Sequence, residues 1–158
     1  MKSYTQSIEI QAGVERVFGA YVEEINKWWP WQGKENRYTW APEGVEPSEI
    51  HFEPKAGGRY FERFADGSEY VIGHIKVYEP PHKLSFSWQG RDWPPGESLF
   101  ELNFEAQGEG TLLTLTHSGF EIFGEQAEEM VQGYTMGSAE ILGFFKDWLD
   151  ANAVGARR

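Results

Sequence analysis

The sequence predicts one α+β domain in which a curved, aromatic-rich antiparallel sheet wraps a long C-terminal helix. Three observations predict it. Between Glu49 and Ser118, six strand-like segments follow one another with only short Pro- and Gly-containing breaks, and strands joined so closely pair antiparallel. The last segment, from about Glu125 to Ala151, has helical periodicity. Finally, 158 residues with 40% apolar content, including seven Trp, seven Tyr and eleven Phe, fill one sizeable core but would leave two full domains cramped. Residues 1–158 are therefore expected to form a single domain.

The first element is a strand over Thr5–Gln11, where Ile8 and Ile10 alternate with Ser7, Glu9 and Gln11. Ala12-Gly13 breaks it. Val14, Val17, Phe18, Tyr21, Val22 and Ile25 then recur at steps of three and four, which predicts a helix ending near Asn26. Trp28-Trp29-Pro30-Trp31 opens a loop punctuated by Gly33, Pro42, Gly44 and Pro47, whose aromatic residues Trp31, Tyr38 and Trp40 suit a lid. The six strands are expected at 49–53, 58–64, 69–78, 83–89, 98–106 and 111–118. Alternation puts Leu84, Phe86 and Trp88 on one face, Phe100, Leu102 and Phe104 on another strand's equivalent face, and Leu113, Leu115 and His117 on a third. The closing helix begins with Glu125, Glu128 and Glu129 at its positive end. It carries Met130, Tyr134, Gly137, Ile141, Phe144, Phe145 and Trp148 on its apolar face. Gly133, Gly137 and Gly143 each cost about 1 kcal/mol relative to Ala within a helix, and either close packing, a kink or space for a ligand would explain them.

Charge narrows the partners. A net charge of −11 repels phosphate backbones and anionic lipid alike, so nucleic acid is not expected as a partner. No apolar run is long enough for membrane insertion and the first residues lack the apolar stretch of a signal peptide, so a cytoplasmic location is expected. The absence of cysteine excludes disulfides, thiolate metal sites and a cysteine nucleophile. No cofactor is expected, and the chain is expected as a monomer or homodimer.

A series of motifs runs in order along the chain: Val14-Glu15-Arg16-Val17-Phe18, Lys27-Trp28-Trp29, Phe52-Glu53-Pro54 with Gly57-Gly58-Arg59-Tyr60, and Asp66-Gly67. Gly73 before Glu79-Pro80-Pro81-His82-Lys83-Leu84, Phe86-Ser87-Trp88, and Gly110-Thr111 before Leu115-Thr116-His117-Ser118-Gly119-Phe120 complete it. From Ser7 to Leu149 this series resembles the bacterial branch of the activator of heat-shock-protein-ninety ATPase family, within the START-like, polyketide-cyclase-like superfamily. The resemblance implies a helix-grip fold: a seven-stranded antiparallel sheet around the C-terminal helix, two short helices after the first strand, and a cavity between sheet and long helix. It also implies apolar-ligand binding, a chaperone partner, or cyclase-type chemistry, all of which occur in the superfamily. Gly133-Tyr134 replaces the family's Gly-Trp opening of the last helix, and Gly143 stands where a larger residue is usual, a change that could enlarge or bend the cavity.

Non-catalytic binding of a small apolar or aromatic molecule is the leading expectation. Phe86, Trp88, Leu102, Leu115 and His117 would floor the cavity, Tyr134, Gly137 and Ile141 would roof it, and Trp28, Trp29 and Trp40 would form its mouth. Trp31, Trp40 and Trp93 fall in loops, where an indole suits a ligand or partner surface. His117 is a candidate acid or base for a cyclase-like reaction, with Tyr134 or Arg63 polarising a carbonyl, but a histidine satisfied by a neighbouring hydroxyl is the simpler expectation. Ser118 lacks the glycines of a nucleophile elbow. His51 and Glu53 have chelating spacing without a third ligand and read as a surface pair. Arg59 and Arg63 are expected to face solvent, opposite Tyr60 and Phe64. An acidic outer face docking on a chaperone is the alternative function.

Overall fold

The computed structural model describes residues 2–30, 38–90 and 93–152. The chain runs β1 (Ser3–Ile10), α1 (Val14–Glu23), α2 (Ile25–Trp28), β2 (Pro47–Phe52), β3 (Arg59–Phe64), β4 (Glu69–Glu79), β5 (Lys83–Trp88), β6 (Ser98–Gln107), β7 (Gly110–Ser118), a 3-10 segment (Phe120–Gln126) and α3 (Ala127–Ala151). All seven strands form one antiparallel sheet in the order β1-β7-β6-β5-β4-β3-β2. The predicted α+β helix-grip fold is what forms.

Strand ends fall within two residues of the expected ones, and two helical boundaries differ from the sequence expectation. The first helix breaks at Glu24, whose φ of −111° and ψ of 17° leave the helical region, and restarts as α2. That break lets Ile25 and Trp28 both be buried, with the Trp28 indole donating to the Ala20 carbonyl at 3.0 Å. The long helix starts later than Glu125, because Phe120–Gln126 wind as 3-10 with Gly124 in a non-helical conformation (φ 56°) within them.

Period-two burial follows from the strand pattern. Tyr4, Ile10, Phe100, Leu102, Phe104, Leu113, Leu115 and His117 all point to the concave face and are buried. The second half of α3 packs tightly there: Phe145 is fully buried against Trp28 (ring centroids 4.6 Å) and edge-on to Tyr21 (5.3 Å). The core is thus solid at one end of the helix.

On the convex face Arg59 and Arg63 point outward. Arg59 pairs with Glu53 and Glu69 at 3.0 and 3.1 Å, and Arg63 with Glu69 and Glu49 at 2.8 and 3.4 Å. Such half-exposed pairs add little stability. Their guanidinium groups cover Phe61, with Arg59 4.1 Å above the ring centroid, so an aromatic residue on the outer face is kept from water. His51 pairs with Glu49 at 2.9 Å and not with Glu53, whose carboxylate goes to Arg59. Among the described residues no group of three potential metal ligands comes together, and no helix is long and apolar enough to cross a membrane.

Candidate functional site: an aromatic cavity under the C-terminal helix

Between the concave sheet and the first half of α3 the core opens into a cavity of about 920 Å³. Tyr60, Phe86, Trp88, Phe100 and Leu115 form its sheet side, and Tyr21 reaches it from α1. Met130, Gly133, Tyr134, Gly137, Ser138 and Ile141 form the helix side, and Trp29 with residues 38–41 lies at the mouth.

The glycines explain the space. A Cβ built on Gly133 or Gly137 would have no atom within 4 Å, so neither glycine is there for close packing. Both line the cavity, and side chains there would enter it. Gly143 also has open space around it but is not among the residues lining the cavity, and α3 continues through it, so it does not itself enlarge the cavity. Gly143→Ala is therefore expected to raise stability by about 1 kcal/mol, measured by urea unfolding, without touching the cavity.

The mouth is built from interlocked rings. Trp40 stacks on Tyr70 (centroids 6.1 Å, 13° between planes) and on Trp29 (6.4 Å, 24°), and stands edge-on to Trp88 at 5.7 Å. Polar ties hold this segment down. Trp29 Nε1 donates to the Tyr38 carbonyl at 2.7 Å, and the Tyr38 hydroxyl donates to Glu140 on α3 at 2.8 Å. The carboxylate of Glu62, completely buried on the concave side of β3, accepts from the Trp40 backbone N–H at 2.7 Å and from the Thr39 hydroxyl. A buried carboxylate is costly unless it is hydrogen-bonded, so this anchor ties the 39–40 backbone to the sheet. Trp31, the other aromatic residue expected in a lid, lies outside the described residues.

Of the residues expected at a ligand site, Trp29, Trp40, Phe86, Trp88, Leu115, Tyr134, Gly137 and Ile141 line the cavity. Trp28, Leu102 and His117 do not: all three are in the packed core. Trp28 is turned toward Phe145 by its bond to Ala20, and Leu102 sits lower on the sheet, where its register partners are Leu84 and Leu115. His117 sits beside Phe100, its register partner on β6, ring on ring at 3.8 Å, with no exposed surface. Trp93 is not on the wall either. It folds back over Gly90, where a Cβ would meet its indole at 2.4 Å, and donates to the Tyr134 hydroxyl at 3.1 Å. It thereby buttresses a residue that does line the cavity.

Glu62 and Ser138 were not singled out by sequence. Glu62 had a signal, since it shares the period of Tyr60 and Phe64 and so falls on the apolar face. Ser138 had none beyond adjacency to Gly137.

Both ring nitrogens of His117 are occupied, Nδ1 by the Tyr4 hydroxyl at 3.0 Å and Nε2 by the Ser98 hydroxyl at 2.8 Å. Burial pulls its pKa down to about 3, and the imidazole is neutral at ordinary pH. Burial likewise raises the phenol pKa of Tyr4, Tyr21, Tyr60 and Tyr134.

A family model described as Activator of Hsp90 ATPase homolog 1-like protein matches residues 11–142. Among solved structures the chain is similar to an anthrahydroquino-γ-pyrone synthase, at 26% identity and TM-score 0.60, with 93% of this chain and 96% of that one covered. It is similar to a protein from Mesorhizobium loti at 18% identity and TM-score 0.66, with 95% and 98% covered. An Hsp90 activator from Plasmodium falciparum matches at 22% identity and TM-score 0.53, with 75% and 73% covered. The last two likenesses are of fold. A search of curated proteins returned no match.

Proposed function

We propose that this chain, which belongs to the family of Activator of Hsp90 ATPase homolog 1-like proteins, binds a small apolar or aromatic molecule in the cavity under α3 without transforming it. One observation carries the reading. The cavity, at about 920 Å³, falls in the range of small-molecule sites, and its helix wall is glycine at two positions where a side chain would intrude. The glycines weaken the helix, which is understandable where the space is used. Binding without catalysis is favoured by the placement of His117, the candidate for acid–base chemistry: it has no exposed surface, its ring lies against Phe100, and hydroxyls hold both its nitrogens.

The test is a neutral solvatochromic naphthalene, 6-propionyl-2-(dimethylamino)naphthalene. A blue-shifted emission saturating at one dye per chain is expected, with affinity at least about tenfold weaker in Gly137→Phe, a change of about 1.4 kcal/mol. A folded wild-type protein that leaves the dye spectrum unchanged would remove the reading.

The family and the Plasmodium neighbour support a second reading, docking on an Hsp90-type chaperone. It predicts a rise in the chaperone's ATP turnover when the protein is added. Unchanged turnover across a tenfold excess would exclude it.

A further inference from the structure

Three hydroxyls on the cavity wall have a hydrogen-bonding sense that follows from counting hydrogens. Ser138 ends a chain of bonds that crosses the interior. Ser98 Oγ has one hydrogen and donates it to the Trp88 carbonyl at 2.6 Å. His117 Nε2, 2.8 Å from the same oxygen, must therefore be the donor to it. The imidazole is neutral, so Nδ1 bears a lone pair and takes the hydrogen of the Tyr4 hydroxyl 3.0 Å away. Tyr4 then has only lone pairs left for Ser138 Oγ at 2.6 Å, which makes Ser138 the donor in that pair. Ser138 is 7% exposed and lines the cavity. With its hydrogen committed to Tyr4, it presents a ligand with lone pairs alone.

Tyr21 and Tyr60 have the opposite character. Both line the cavity at 5% and 2% exposure, and neither hydroxyl has a hydrogen-bond partner among the described residues. Burial keeps both protonated, so each has a hydrogen to donate. Neither oxygen is sealed off, since among the described residues the one fully buried side-chain polar atom without a partner is Gln6 Oε1, so both hydroxyls keep access to the cavity and are available to a ligand's acceptor.

We infer that the cavity takes a flat aromatic molecule bearing a hydroxyl or N–H donor for Ser138 and a carbonyl acceptor for Tyr21 and Tyr60. The inference rests on the binding reading above and adds the polarity of the ligand.

Four probes test it: naphthalene, 2-naphthol, 2-acetonaphthone and 6-hydroxy-2-acetonaphthone, titrated against tryptophan fluorescence. Each polar group is expected to tighten binding by about threefold to tenfold, the worth of one neutral hydrogen bond, so the hydroxy-ketone binds tightest. Ser138→Ala should abolish the gain from the hydroxyl and keep the gain from the ketone. The double variant Tyr21→Phe, Tyr60→Phe should do the reverse, and it removes only hydroxyls with no protein partner among the described residues. Equal binding of all four probes would overturn the inference and leave the cavity's binding role standing. If neither the solvatochromic dye nor any probe binds, both fall. Independently of ligand, the 15N spectrum of histidine-labelled protein should show His117 protonated at Nε2 and pyridine-like at Nδ1. A Nδ1-protonated His117 would reverse the chain and overturn the role given to Ser138.

Discussion

Gly73→Ala is expected to destabilise the protein by more than about 3 kcal/mol, beyond the usual cost of overpacking. Gly73 lies inside β4 opposite Tyr60 of β3, where the β4–β5 ladder comes unusually close. A Cβ there would stand 1.7 Å from the Ser87 carbonyl oxygen and 2.5 Å from its carbon. Those are backbone atoms of a central strand and cannot swing aside as a side-chain tip would. The same approach lets Ser87 Oγ accept from the His74 backbone N–H at 2.9 Å, so the contact that forbids a side chain also supplies a bond in an irregular part of the ladder. Urea unfolding measures the effect, with Gly143→Ala as a control of opposite sign. A midpoint for Gly73→Ala within error of wild type would show that the strands part at little cost.

The second large effect is a pH dependence with one residue at its source. His117 has an ordinary pKa of 6.5 once unfolded and about 3 when folded. Between those values the unfolded chain binds a proton that the folded chain refuses, so stability falls as pH falls from 6.5 toward 3. The slope is about 1.4 kcal/mol per pH unit, giving a loss of about 2–3 kcal/mol on going from pH 7 to pH 4.5. Its neighbours do not offset it: Tyr4 and Tyr134 have raised pKa values and are neutral throughout this window. The paired carboxylates of Glu49, Glu53, Glu69 and Glu128 are all held below 4.5, and their own contribution is lost at lower pH. Chemical unfolding of wild type and His117→Phe at several pH values isolates the histidine. Parallel stability–pH curves for the two would refute its role.

The sheet was legible because its signals are local. Leu113, Leu115 and His117 alternate, Pro and Gly separate each strand from the next, and the inward face follows from the period alone. The end of the first helix was misjudged because Ile25 continues the helical spacing, and nothing local announces that Glu24 leaves the helix so that Trp28 can reach Phe145. Phe86, Trp88 and Leu115 on the cavity wall were legible for the same reason as the strands, and Tyr134, Gly137 and Ile141 from the helical period, whereas Tyr21, Tyr60 and Phe100 read only as core. His117 was placed on the correct face, yet a face does not reveal depth. Its seclusion depends on Phe100 of the neighbouring strand lying flat against it. The polarity of Ser138 was out of reach, since it is set through Tyr4, His117, Ser98 and Trp88, which come from four different strands. Glu62 was readable as an oddity on an apolar face, but its role needed residues 39 and 40 to return across the sheet.

The strand order has a bearing on how the molecule comes together. β1 precedes the other six strands of the sheet in the chain, yet its neighbour in the sheet is β7, and residue 3 finds its partner at residue 118. The remaining strands meet as successive hairpins, each zipping soon after its second strand appears. During synthesis β1 therefore waits with Tyr4, Ile8 and Ile10 uncovered, while β7 offers a raw edge until β1 arrives. The Tyr4–His117 bond can form only at that docking, so a single link joins the closing of the sheet to the polarity of the cavity that α3 completes.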